Sequence, residues 1–172
     1  MTSELGSIAG RPEGRFVVEP HHCFACGELN DHGLRLDLHA GLDGCWTELT
    51  LDPAFQGWEG IAHGGILCAI LDEVMAWAVI GRDTWGVTAR MTVDFKRPVE
   101  VRRRLRAEGT VSGTTRRLFR TAGRILDVET GEVLATSEGT YIAAPPERLA
   151  ELRARYRLPA DDRSDAPGRV DS

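Results

Sequence analysis

Residues 55–79, FQGWEGIAHGGILCAILDEVMAWAV, decide how this chain is to be read. His63, Gly64 and Gly65 open a run that is otherwise almost wholly apolar, and two adjacent carboxylates, Asp72 and Glu73, sit inside it. From Gly64 to about Gly81 the pattern predicts a helix that is hydrophobic nearly all round, and such a helix is enclosed by protein. It is too short and too charged to cross a bilayer. Desolvating an unpaired charge costs several kcal/mol or more, so acids inside an apolar helix point to a use. A glycine-rich helix start leaves backbone N–H groups bare, and these donors suit a negative or polarised oxygen. An oxyanion site and a buried acid together suggest hydrolytic chemistry.

Outward from the helix the periodicity becomes that of strands. Residues 33–39 alternate apolar and polar, 41–44 carry turn chemistry, and 45–51 alternate again, which predicts a hairpin. Beyond the helix, Val87, Ala89, Met91, Val93 and Phe95 alternate with Thr88, Arg90, Thr92, Asp94 and Lys96 until Pro98 stops the run. Residues 105–111 predict the next strand and 112–115 a turn, while 117–128 and 133–142 predict a hairpin across 129–132. Pro145 and Pro146 open a charged amphipathic helix to about Arg157, and the Asp-, Arg- and Pro-rich residues 159–172 are expected to be disordered. Two strands, one buried helix and four strands ask for an α+β domain in which an antiparallel sheet curls around the helix.

A length of 172 residues fits one domain with a sizeable core. It divides into an N-terminal extension (1–22), the main domain (23–144), a C-terminal helix (145–157) and a tail (158–172). The net charge of −5 argues against a nucleic-acid partner. The basic run 101–106 is a local exception, expected to be the solvated face of a strand. The polar N-terminus, with Glu4 and no apolar segment, does not read as a signal peptide, so a soluble, cytoplasmic protein without membrane contact is expected.

Cys23, Cys26, Cys45 and Cys68 are expected to be reduced thiols. His21, His22, Cys23 and Cys26 look like half of a zinc site, to which His32 would be a further candidate. No second C-x-x-C or H-x-x-x-H follows, so the expectation is a turn of small packed thiols and no metal.

Taken together, Cys23-Phe-Ala-Cys-Gly27 with Asn30, Gly33-Leu34, Phe55-Gln-Gly57, His63-Gly-Gly65, Asp72-Glu73, Val87-Thr-Ala-Arg90, Phe95-Lys-Arg-Pro98 and Gly139-Thr140 resemble the hotdog-fold thioesterases. The particular likeness is to the phenylacetate-pathway (PaaI-like) type of acyl-CoA thioesterase, and it spans residues 23–143. It implies a curved antiparallel sheet around one long helix and a homodimer, the double hotdog, or a dimer-of-dimers tetramer. It also implies acyl-CoA hydrolysis to a free acid and CoA, with no cofactor beyond the CoA of the substrate.

By the same resemblance, backbone N–H groups of Gly64 and Gly65 would polarise the thioester carbonyl, and Asp72 would be general base or nucleophile, two roles the sequence leaves open. Thr88 would place the acid or the water, and His63 would orient rather than carry a proton. Asp72 lies eight residues beyond Gly64, about 12 Å along a helix, too far for both to serve one carbonyl. Two antiparallel copies of the helix would set each Gly64 against the partner's Asp72. Many relatives carry Asn or Gln where this chain has Gly57, with Gln56 before it. Trp58 and Trp77 are candidates for an acyl tunnel, and Arg90, Lys96, Arg97, Arg116 and Arg117 for the CoA phosphates.

Plainer readings stand beside these. His63 would be a helix-start residue, Asp72 a buried acid paired to Arg90, Thr88 a strand hydroxyl and Glu73 a structural partner. Two rival functions follow from the same fold: a non-catalytic acyl-CoA-binding or accessory protein, and a hydroxyacyl-thioester dehydratase.

Overall fold

The computed structural model describes residues 20–156. Its six-stranded antiparallel sheet has the order β1-β2-β6-β7-β8-β5, built from β1 (His39–Gly41), β2 (Gly44–Thr50), β5 (Gly86–Phe95), β6 (Arg104–Thr115), β7 (Leu118–Asp127) and β8 (Val133–Ala143). A short hairpin, β3 (Gln56–Trp58) with β4 (Ile61–Ala62), leads into helix α1 (Gly64–Ile80), and α2 (Pro146–Tyr156) follows the sheet. The residues beyond Tyr156, on which the disorder expectation falls, lie outside the described part.

Helix α1 lies across the sheet and buries Leu67, Ile70, Leu71, Val74, Met75 and Ala78 in the core. Its close approach requires glycine beneath it. A Cβ at Gly109 of β6 would collide with the Val74 backbone, and the paired Gly123 of β7 sits under Leu71 and Met75. Eight residues of α1 are not fully buried; five of them, Gly65, Cys68, Ala69, Asp72 and Ala76, form a stripe of small side chains, with Gly64, Ile66 and Glu73 beside it.

Four expectations change. Residues 33–38 show the predicted alternation, with Leu36 and Leu38 buried, but no ladder. Arg35 has a left-handed backbone (φ 50°), and the Leu34 and Leu36 N–H groups donate to Phe24 and Ala25 carbonyls, so β1 starts only at His39. Second, β6 runs through the expected turn to Thr115, and the reversal falls beyond it at Arg116 and Arg117, where Arg116 has φ 53°. Third, the β3–β4 hairpin carried no periodic signal in strands this short.

The fourth concerns β5. A bulge between Thr88 and Arg90 sets Thr88 opposite Tyr141, and Met91 opposite Gly139. One extra residue exchanges the faces of a strand. Thr88 therefore shares the inner face with Tyr141, Met91, Val93 and Phe95, whereas Val87 turns outward and is 70% exposed.

The basic run pairs within the sheet. Arg103 Nε meets Asp127 at 2.6 Å, Arg104 meets Glu48 at 2.7 Å, and Arg106 meets Glu108 at 2.6 Å. Arg124 holds the other Glu108 oxygen at 2.6 Å, and Arg106 lies over Trp46, 4.1 Å from the ring centroid. These arginines belong to the fold.

Candidate active site

The start of α1 is built so that one amide stays available. His63 caps the helix, its Nδ1 accepting from Gly65 N–H at 2.9 Å, and the His63 carbonyl accepts from Ile66 N–H at 2.9 Å and Leu67 N–H at 3.3 Å. Gly64 N–H is left without a hydrogen-bond partner among the described residues. Of the two expected oxyanion donors, Gly65 is thus spoken for by the cap, and the positive end of the helix is concentrated on Gly64. Since Nδ1 accepts, the His63 proton sits on Nε2.

The neighbouring hairpin supports this start. A Cβ at Gly57 would lie 3.1 Å from the His63 ring, so the glycine lets the imidazole pack against β3. Gln56 Oε1 accepts from Gly60 N–H at 3.0 Å, which commits its carboxamide to the β3–β4 turn. Phe95 reaches the same place from β5, its ring 3.4 Å from where a Gly64 Cβ would stand.

Two turns further along α1, Asp72 Oδ1 accepts from Thr88 Oγ1 at 2.7 Å and lies 2.7 Å from the Tyr141 hydroxyl, which is also 3.0 Å from the Asp72 carbonyl oxygen. Thr88 and Tyr141 are cross-strand partners on β5 and β8, so the sheet presents two hydroxyls to one oxygen and leaves Oδ2 clear of both. Tyr141 is fully buried, and burial together with the Asp72 charge pushes its phenol well above the ordinary tyrosine range, so it stays a donor. Arg90, on the outer face beyond the bulge, makes no ion pair with Asp72 among the described residues. Tyr141 was not anticipated. Its signal was its position: an aromatic with a hydroxyl on the inner face of a core strand needs a polar partner.

Glu73 points to another side. Its Oε1 accepts from Trp77 Nε1 at 2.9 Å, and Cys23 Sγ lies 3.9 Å from both carboxylate oxygens. Burial pushes the Glu73 carboxyl up to about 7, against hydrogen bonds from Cys26 and Trp77 that pull it down. Cys26 Sγ is 3.4 Å from His21 Nε2. The hydrogen bond from Cys26 brings the Cys23 thiol down to about 5, while Cys26 keeps its proton and moves up. His21, Cys23 and Cys26 offer ligand atoms within 4.8 Å of one another; His32 is exposed and outside this group. Trp77 lines a cavity of about 180 Å³ with His21, Glu73 and Trp85, whereas Trp58 is 83% exposed on β3.

The cationic candidates divide into two groups. Lys96 and Arg97 follow β5 at the Phe95 end, paired to Asp94 at 3.6 Å and Glu132 at 3.0 Å. Arg116 and Arg117 stand at the β6–β7 turn, where Arg117 Nη2 donates to the Ala143 carbonyl at 2.7 Å. Lys96 N–H bonds to Leu134 at one end of β8 and Arg117 to Ala143 at the other, a separation of about 30 Å along a strand. One CoA on one subunit cannot engage both.

The Thioesterase superfamily model matches residues 59–134, which contain the capped start of α1, Asp72 and Thr88. The fold is the hotdog fold, and the stretch that matches the superfamily model holds helix α1 and strands β4 to β7. A solved thioesterase superfamily protein is 28% identical with a TM-score of 0.66; the match covers 70% of this chain and 60% of that one, so this chain spans about three-fifths of its length. The E. coli PaaI protein from the phenylacetic acid degradation operon is 21% identical, with 63% and 83% covered and a TM-score of 0.59. A hypothetical thioesterase from Streptococcus pneumoniae TIGR4, solved with coenzyme A, is 19% identical, with 62% and 84% covered and a TM-score of 0.59. At these last two identities the shared property is the hotdog fold. A comparison with curated proteins gave no match. No helix among the described residues is long and apolar enough to cross a membrane.

Proposed function

We propose that this hotdog domain hydrolyses an acyl-CoA thioester to the free acid and CoA, at a site shared by two copies of the chain. The observation that carries the reading is the pair of prepared groups on α1: one uncommitted amide at Gly64, and one carboxylate oxygen held by Thr88 and Tyr141. The thioester carbonyl accepts from Gly64 N–H, where the helix end favours the developing negative charge. Asp72, with Oδ1 fixed, uses Oδ2 on a water or on the carbonyl carbon itself; base and nucleophile are both compatible with this geometry. Water, an amide and a carboxylate suffice, with CoA leaving as the thiol.

The two groups stand about 12 Å apart along one helix, so an antiparallel second copy brings each Gly64 to the other's Asp72. Two features support that pairing. Among the described residues β5 is a ten-residue edge strand hydrogen-bonded on one side only, to β8, with Val87 and Phe95 exposed at its two ends. The open stripe of α1 bears small side chains that allow a second helix to come close. In such a pair the CoA arm would take Lys96 and Arg97 from the subunit giving Gly64, with Arg90, Arg116 and Arg117 contributed from the other. The CoA-bound Streptococcus pneumoniae relative supports CoA as the carrier. A cytoplasmic setting belongs to the same reading.

Thiol release from a panel of aromatic and aliphatic acyl-CoAs tests it, with Asp72→Ala and Gly64→Pro as controls. His63 already has the extended backbone (ψ 132°) that precedes proline, and proline suits the first helical position, so Gly64→Pro removes the N–H while keeping the helix. Losses of about a hundredfold or more in both variants are expected. Hydrolysis unchanged by Asp72→Ala would sink the mechanism, and CoA-ester binding without thiol release would instead favour a binding module.

A further inference from the structure

The N-terminal turn carries chemistry that the proposed hydrolysis does not use. Cys23-Phe-Ala-Cys-Gly27 folds as a knuckle: Gly27 N–H closes it on the Cys23 carbonyl at 2.9 Å, and a Cβ at Gly27 would collide with the Cys23 backbone. His21 precedes the knuckle and turns its Nε2 to within 3.4 Å of Cys26 Sγ. From α1, 50 residues along the chain, Glu73 brings both carboxylate oxygens to 3.9 Å from Cys23 Sγ.

We propose that His21, Cys23, Cys26 and Glu73 hold a zinc(II) ion that fastens the N-terminal segment to helix α1. Zinc–sulfur bonds of about 2.3 Å and zinc–nitrogen bonds of about 2.0 Å at tetrahedral angles place ligand atoms roughly 3.5–3.8 Å apart. The His21–Cys26 and Cys23–Glu73 separations of 3.4 and 3.9 Å lie close to that range, and the ligand atoms of His21, Cys23 and Cys26 all lie within 4.8 Å of one another; Glu73, outside that group of three, touches it through Cys23 and would draw in to complete the tetrahedron. Charge points the same way. Two sulfurs and a carboxylate converge, and among the described residues no lysine or arginine pairs with Glu73 to balance them. Trp77 Nε1 fixes Oε1 at 2.9 Å, which orients the carboxylate and leaves Oε2 to the metal.

A sequence search for a second knuckle misses such a site, because the fourth ligand comes from a helix. The segment is held to the core through Ala25, Leu36 and Leu38, and the ion would add a polar tie to α1. Among the described residues before His39 none joins the sheet, and the backbone hydrogen bonds from Leu34 and Leu36 return to the knuckle. Metal affinity would therefore appear as fold stability.

The test uses the full chain, purified with its thiols reduced and stripped by a chelator. Cobalt(II) titration is expected to give one metal per chain with the thiolate charge-transfer absorption of a tetrahedral site, displaced by zinc(II), and zinc is expected to raise the thermal midpoint. Cys26→Ser should roughly halve the charge-transfer band, the double change Cys23→Ser with Cys26→Ser should abolish it, and Glu73→Gln should weaken zinc binding at least about tenfold. A reduced wild-type chain that shows no thiolate band with cobalt(II) overturns the site, without reliance on any variant. Unchanged zinc affinity in Glu73→Gln overturns the assignment of the fourth ligand.

Discussion

Tyr141 and Asp72 stand 69 positions apart in the chain, and the tyrosine hydroxyl reaches the aspartate Oδ1 at 2.7 Å. Thr88 reaches the same oxygen at 2.7 Å. A carboxylate in the open stripe of α1 is therefore aimed by the sheet beneath it. Tyr141→Phe and Thr88→Val each remove one charge-assisted hydrogen bond, with an expected loss of about 1.5–3 kcal/mol of transition-state positioning. kcat should fall about ten- to a hundredfold with KM little changed. A double-mutant cycle in acyl-CoA hydrolysis checks the pair, and the two effects should fall short of additivity because both hydroxyls act on one atom.

A site shared between two subunits, as proposed, predicts complementation. A subunit with Asp72→Ala keeps its Gly64 amide, and one with Gly64→Pro keeps its carboxylate. Unfolding and refolding an equal mixture should restore about a quarter of wild-type activity, since half of the random dimers carry one intact site. Each variant refolded alone should stay inactive. If mixing restores nothing while mixed dimers are shown to form, each site lies within one subunit.

His63 is predicted to act through structure. His63→Ala removes the acceptor of the Gly65 N–H, with an expected cost of about 1 kcal/mol in stability. Asn or Asp at this position caps helices well, so His63→Asn should recover most of the stability and of the activity, measured by denaturant unfolding and thiol release. A proton-carrying histidine would be rescued by neither.

Acid should unfold this chain through two carboxylates held within the sheet. Burial works against the Glu108 charge, but the hydrogen bonds from Arg106 and Arg124 win and hold its pKa below the ordinary 4.5. Asp127 is likewise held below its ordinary 3.8, first by the Thr130 backbone N–H, with the Arg103 charge adding to it. A depressed carboxylate gives its stabilisation in full above the unfolded value, and loses it as pH falls through the folded one. Stability should therefore hold steady above about pH 5 and drop below about pH 4.5. Glu108→Gln should cost about 1.5–3 kcal/mol at neutral pH and flatten the acid limb, as followed by urea unfolding against pH.

Much of this molecule is legible in its residues because local periodicity and tertiary burial agree. Helix α1 and strands β2, β5, β7 and β8 fall within a residue or two of their expected bounds. The expectation fails where one residue departs from the local pattern. Arg35, with a left-handed backbone, stops an alternating run from joining the sheet, and Arg116 moves a turn that Ser112 and Gly113 had suggested. At the site, spacing along one helix brings out Gly64 and Asp72. What that spacing does not carry is the partner from a distant strand: Tyr141 beside Asp72, or Cys23 beside Glu73.

The bulge in β5 makes the length of that strand matter more than its composition. Before the extra residue the strand is read in one frame and after it in the other, so Thr88 and Met91 face the same side although three positions separate them. Replacing Ala89 with another residue would leave this arrangement in place. Deleting it would merge the two frames: either Thr88 turns away from Asp72, or the whole Met91–Phe95 half turns away from the core. A family alignment scored only by residue identity would miss that change; a one-residue gap at this point is what would mark it.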